Sequence, residues 1–182
     1  MRPLVIDASA ALAHVVGEPD AARVEEILRD RDDLLVPWIF WTEIINVLGR
    51  RHRWQGSRVL EAVYDLEQLR LRTEPPSRPT MLRVIDAVEA HGLTAYDAEY
   101  LVLTENADAE LLTGDAALAQ VAGSRAILIG PGRRPAEEPV PYPRRPEIAE
   151  PDWPRWPGAA AYLEDLRREV RSDLEKLRMT SG

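Results

Sequence analysis

A chain of 182 residues can hold one full-sized hydrophobic core with length to spare. It has no cysteine, which excludes a disulfide frame, a thiolate metal site and a thiol nucleophile, and its only lysine is Lys176, which excludes lysine chemistry from the globular part. The net charge of -8 is uneven: residues 131–182 carry 10 basic and 10 acidic side chains, so the acidic excess lies wholly in residues 1–130. That distribution argues against non-specific nucleic-acid binding and fits a cluster of carboxylates.

The chain opens on Leu4-Val5-Ile6, a short buried strand by composition, and ends it on Asp7. Asp7 and His14 interrupt the only N-terminal apolar run, so neither a leader nor a membrane span is expected, and a cytoplasmic location follows. Helices are expected over 8–16, stopped by Gly17, and over 20–29, with Asp20 as cap. Leu34 to Val36 is a second strand, and Pro37 is placed at the start of a helix running through Trp38 and Glu43 to about Arg51. A helix over 58–69, a strand over 69–73, a helix opened by Pro79 and another opened by Thr94 follow. Strand 110–113, helix 115–121 and strand 126–129 complete the alternation, which predicts a parallel sheet with helices on both faces.

Beyond Gly130 the composition changes, with nine of the 15 prolines falling between Pro131 and Pro157. An extended arm is expected there. From Gly158 to Arg178 the apolar residues Leu163, Leu166, Val170, Leu174 and Leu177 form one narrow helical seam. The organisation is thus a domain over 1–130, an arm over 131–157 and an amphipathic helix over 158–182.

Four acids stand out by position. Asp7 and Asp115 close strands, at the edge where open α/β sheets bind ligands. Glu43 lies in the largely apolar Trp41-Thr42-Glu43-Ile44-Ile45, and Asp97 one turn into its helix. Each has a plainer role open to it: Asp7 and Asp115 as helix caps, Asp97 in a capping box with Thr94, Glu43 as an ion-pair partner of Arg50 or Arg51. Convergence favours a joint role. At about 5 Å and an effective dielectric of about 20, each like-charged pair costs roughly 3 kcal/mol, so protons or cations must enter. An all-oxygen set without His or Cys suits Mg²⁺ or Mn²⁺, and such ions activate water for attack on a phosphodiester. Rival chemistries lack residues: an Asp-x-Asp phosphatase finds Ser9 where its second acid belongs, and a receiver domain or a P-loop needs an absent lysine. Arg50, Arg51 and Arg53, beside Trp54, offer phosphate contacts for RNA, with favourable placement of cations at a helix C-terminus as the plainer account. Trp38, Phe40 and Trp41 are read as core or dimer contacts.

Val5-Ile6-Asp7-Ala8-Ser9, Trp41-Thr42-Glu43-Ile44, Ala95-Tyr96-Asp97-Ala98-Glu99-Tyr100-Leu101 and Leu112-Thr113-Gly114-Asp115 resemble, in order and spacing, the four motifs of PIN-domain ribonucleases of the VapC toxin type. The resemblance covers about residues 3 to 130. It implies a three-layer α/β/α sandwich with a parallel sheet of four to five strands in the order 3-2-1-4-5. It further implies ligation of one or two Mg²⁺ or Mn²⁺ ions by Asp7, Glu43, Asp97 and Asp115, with Ser9 and Thr113 supporting the acids, and a homodimer neutralised by a small antitoxin. Some members carry another acid after the fourth motif; Ala116, Ala117 and Leu118 stand there in this chain. The expected activity is metal-dependent endoribonucleolytic cleavage, with a weakly cleaving RNA- or antitoxin-binding protein as the competing expectation. The tail exceeds the usual toxin length, and two readings stay open for residues 131–178: docking over the active-site groove of their own or a neighbouring subunit, with Arg144, Arg145 or Arg155 near the acids, or, the plainer one, extending the dimer or packing on the surface.

Overall fold

The computed structural model describes residues 2–133 and, further on, positions 161, 164, 165, 168 and 172. The chain divides into two compact units, Met1–Ala136 and Glu137–Gly182. In the second unit the five described positions are helical and exposed, and Arg168 pairs with Asp165 at 3.3 Å. Residues 131–133, expected to open the arm, instead continue the last strand of the first unit; the rest of the arm, the apolar seam and the docking of the tail lie outside the described residues. Among those residues no helix is long and apolar enough to cross a membrane.

The first unit alternates strands and helices in chain order: β1 (Leu4–Ile6), α1 (Ala8–Val16), α2 (Ala21–Arg29), β2 (Leu34–Pro37), α3 (Ile39–Asn46), α4 (Gly56–Glu67), β3 (Arg72–Glu74), α5 (Arg78–His91), α6 (Ala95–Asn106), β4 (Glu110–Asp115), α7 (Ala116–Ala122) and β5 (Ala126–Arg133). All strand pairs are parallel and the sheet order is β3-β2-β1-β4-β5. β1 lies at the centre, and Leu4, Val5 and Ile6 are at most 1% exposed, because helices cover both faces of a parallel sheet. Helices α1 to α4 pack among themselves, as do α5 to α7. Right-handed crossovers set the two groups on opposite faces, giving three layers. The strand order reverses direction between β1 and β4, and it is beyond the carboxyl ends at such a switch point that open α/β sheets bind ligands.

Several local expectations are corrected. Pro37 is the buried last residue of β2, in register with Glu74, rather than a helix start. A proline at a strand's end interrupts no further ladder. Asp20 sits at φ -87°, ψ -2° and makes no side-chain cap bond, since a cap needs extended backbone to turn its oxygen toward the helix. The helix carrying Glu43 is α-helical only to Asn46; Val47–Arg51 widens into a π-helical turn. Phe40 is buried and meets Trp41 edge-on at 5.1 Å, and the Trp41 indole N–H donates to Thr73 Oγ1 at 3.0 Å. Trp38, by contrast, is 62% exposed and belongs to no core.

Candidate functional site

Asp7 follows β1 directly, and its backbone N–H continues the ladder by donating to Leu112 O at 2.9 Å. Its side chain does not cap α1, which removes the plainer account of this acid. Instead Asp7 Oδ2 accepts two hydroxyl bonds, from Ser9 and, at 2.8 Å, from Thr113. Each hydroxyl is a relay. Ser9 Oγ accepts the Gly114 N–H at 2.8 Å, and Thr113 Oγ1 accepts the Asp115 N–H at 2.9 Å. The network therefore ties the end of β4 to the end of β1. Gly114 eases the approach, because a Cβ there would lie 3.2 Å from Ser9 Oγ and the hydroxyl would have to give by a few tenths of an ångström.

Asp115 does cap its helix: Oδ1 accepts from Ala117 and Leu118 N–H at 2.7 and 2.9 Å. Both bonds fall on one oxygen, so the role is compatible with a second one through Oδ2. Asp97 receives the Thr94 hydroxyl at 2.7 Å while its own N–H donates to Thr94 Oγ1 at 3.1 Å, so the capping role exists there too. Glu43 accepts the Tyr100 hydroxyl on Oε2 at 2.5 Å. The plainer role open to Glu43, an ion pair with Arg50 or Arg51, is not found among the described residues; its partner is Tyr100. Tyr100 and Glu99 were not singled out from the sequence; the one local hint was a polar-tipped aromatic in the apolar run after Asp97.

Electrostatics binds the four acids into one cluster. Burial pushes the Asp7 carboxyl up to about 6; the Ser9 and Thr113 hydroxyls oppose the rise, and Asp97 and Asp115 add to it. Burial likewise pushes Glu43 up to about 7 against the pull of Tyr100, with Asp7, Asp97 and Glu99 adding repulsion. Asp97 is raised chiefly by burial and further by Asp115, and Glu99 by burial alone. Glu99 also lines a cavity of about 640 Å³ walled on α5 by Met81, Val84 and Ile85.

Mutually repelling, partly desolvated carboxylates are a chemical fit to a hard divalent cation. Asp7, Glu43 and Asp115 each commit one named oxygen to protein hydrogen bonds, and these bonds leave the other oxygen for a ligand. Among the described residues no three His, Cys, Asp or Glu are gathered closely enough to hold an ion. Arg50, Arg51 and Arg53 are exposed on and just after the π-helical turn, and no arginine figures among the groups that shift Glu43. Arg58 lies 3.8 Å from the Trp54 ring centroid, covering the aromatic face.

A parallel α/β domain with an acidic cluster at its topological switch point is the class that fold and site define. Residues 4–124 match the family model described as PIN domain, and the chain belongs to that family. No curated protein sequence matches the chain. Among solved structures it is similar to PAE2754 from Pyrobaculum aerophilum, at 23% identity and TM-score 0.53 over 69% of this chain and 88% of that one. A toxin–antitoxin complex from Klebsiella pneumoniae matches at 15% identity and TM-score 0.55, covering 68% and 95% of the two chains. VapBC2 from Rickettsia felis, bound to a DNA fragment from its promoter, matches at 14% identity and TM-score 0.52, covering 69% and 96%. At these identities the likeness speaks for the fold.

Proposed function

We propose that the chain is a divalent-metal-dependent endoribonuclease, the toxin of a toxin–antitoxin pair. The observation that carries this reading is the placement of Asp7 and Asp115 at the carboxyl ends of β1 and β4, bridged through the Thr113 hydroxyl, with Glu43 and Asp97 near enough to add repulsion. Family membership supports it, since PIN-domain proteins are nucleases that generally use divalent ions. Asp7 and Asp115 would hold a Mg²⁺ or Mn²⁺ ion from the sheet edge, and Glu43 and Asp97 from the helices. A cation held there neutralises charge on a phosphodiester and acidifies the attacking water. The protein's own part is preparation: Ser9 and Thr113 donate to Asp7 and favour its ionised form, while burial of Asp7 and partial burial of Glu43 raise the cost of leaving their charges uncompensated. Arg50, Arg51 and Arg53 would hold the RNA backbone near this cluster by charge.

A small antitoxin and a second copy of the chain are the proposed partners. Support comes from the toxin–antitoxin and VapBC2 complexes among the similar folds, and from the exposed apolar Trp38 and Ile45 on and beside α3. The competing reading, a PIN-fold protein that binds RNA or an antitoxin and cleaves poorly, draws on the fact that no three acids of the described residues are gathered closely enough to hold an ion. Incubating RNA with the wild type and with Asp7→Asn, with Mn²⁺ and with a chelator, separates the two. Cleavage confined to the wild type with Mn²⁺ is expected; equal cleavage by Asp7→Asn refutes the metal assignment.

A further inference from the structure

Tyr100 joins parts of the site that no local turn brings together. It lies on α6, three residues after Asp97, with 1% of its surface exposed. Its hydroxyl donates to Glu43 Oε2 at 2.5 Å across 57 residues of sequence. One buried hydroxyl thus links α3 and α6.

We propose that Tyr100 is a positioning residue for the cation site: its hydroxyl fixes Glu43 Oε2 and leaves Oε1 to join Asp7 in ligation. The inference rests on the reading of the acids as cation ligands. Shape alone does not account for the residue, because phenylalanine would fill the same volume without a polar tip to satisfy. Glutamate has a long side chain with several rotamers, and a small hard cation demands a near-fixed ligand geometry. A glutamate already pinned through one oxygen gives up less freedom when the ion arrives. Groups that orient ligands in this way typically change metal affinity about 10- to 100-fold when removed.

The test is calorimetric titration of Mn²⁺ into the full chain for the wild type, Tyr100→Phe, Glu43→Gln, the double variant and Asp7→Asn, with thermal melting to verify folding. Tyr100→Met supplies a second hydroxyl-free side chain of adaptable shape should the phenylalanine variant not fold. Thr104→Val removes another buried hydroxyl of α6, one that bonds to the Tyr100 carbonyl rather than to an acid. Loss of the Tyr100 hydroxyl is expected to weaken Mn²⁺ binding at least about 10-fold, to add less than about twofold once Glu43 is glutamine, and to exceed the effect of Thr104→Val. Wild-type affinity in Tyr100→Phe alongside weakened binding in Asp7→Asn overturns the positioning role and leaves the metal site standing. An equal loss from Tyr100→Phe in both Glu43 backgrounds, or from Thr104→Val, also overturns it. Wild-type binding by Asp7→Asn refutes the metal site itself.

Discussion

The Thr113 hydroxyl donates to Asp7 Oδ2 at 2.8 Å across 106 residues of sequence and accepts the Asp115 N–H at 2.9 Å. One fully buried oxygen therefore sets the distance between the acids that close β1 and β4. Thr113→Val keeps the shape and removes both bonds. It should cost about 1–3 kcal/mol in chemical denaturation, because the Asp115 N–H is left without its acceptor. Thr113→Ser should retain most of that stability.

Asp7 and Glu43 set the pH dependence of the metal-free protein. Their folded-state values of about 6 and about 7 lie above the ordinary 3.8 and 4.5. Between those limits the folded state binds more protons than the unfolded chain, so stability falls as pH rises from about 4 to about 7. The Asp7 contribution is about 3 kcal/mol at 1.36 kcal/mol per pKa unit. Urea unfolding should give a metal-free protein more stable at pH 5 than at pH 8, and Asp7→Asn should flatten that slope. Saturating Mn²⁺ should recover stability at pH 8, by about 2.7 kcal/mol at a concentration 100 times its dissociation constant.

Gly114 and Ser9 should be energetically coupled. A methyl group on residue 114 would press on Ser9 Oγ at 3.2 Å and displace the hydroxyl from its bond to the Gly114 N–H. Gly114→Ala alone should destabilise by about 1 kcal/mol or more and lower activity. With Ser9→Ala already in place the same change should cost less, and a double-mutant cycle by denaturation measures the difference. Additive losses would contradict the contact.

If Arg50, Arg51 and Arg53 track a phosphate backbone, their replacement by alanine should weaken binding of single-stranded RNA across sequences. The logarithmic salt dependence should become shallower by roughly 0.7 for each phosphate that the protein no longer neutralises. An unchanged salt slope, read by fluorescence anisotropy at several ionic strengths, would return these residues to the plainer role of cations at a helix end.

The parts of the site that read directly from the chain are those whose placement is local. Leu4-Val5-Ile6 must be a buried strand, and a carboxylate immediately after it stands at a sheet edge. The same holds for Asp115 at the end of β4. The order of the strands, by contrast, was implied by the family resemblance, since alternation of elements fixes parallel pairing but not sequence in the sheet. Tyr100 is illegible in the sequence because its meaning depends on where α6 lies relative to α3, and an arginine two helical turns along the chain, Arg50 or Arg51, is the plainer partner that sequence offers Glu43. Pro37 misled for a related reason: proline favours both a helix start and a strand end, and only pairing with β3 decides. Asp20 had a capping residue's identity without its backbone conformation.

The most direct measurement of the central claim is Mn²⁺ binding to the full chain, titrated calorimetrically at pH 7 to 8, for the wild type and for Asp7→Asn, Glu43→Gln, Asp97→Asn and Asp115→Asn. A site shared by all four acids predicts that each substitution weakens binding at least about 10-fold, although Asp115 also caps α7 and Asp97 pairs with Thr94, the cap of α6. Wild-type affinity in any one of the four would remove that residue from the site, and wild-type affinity in Asp7→Asn would contradict the account at its centre.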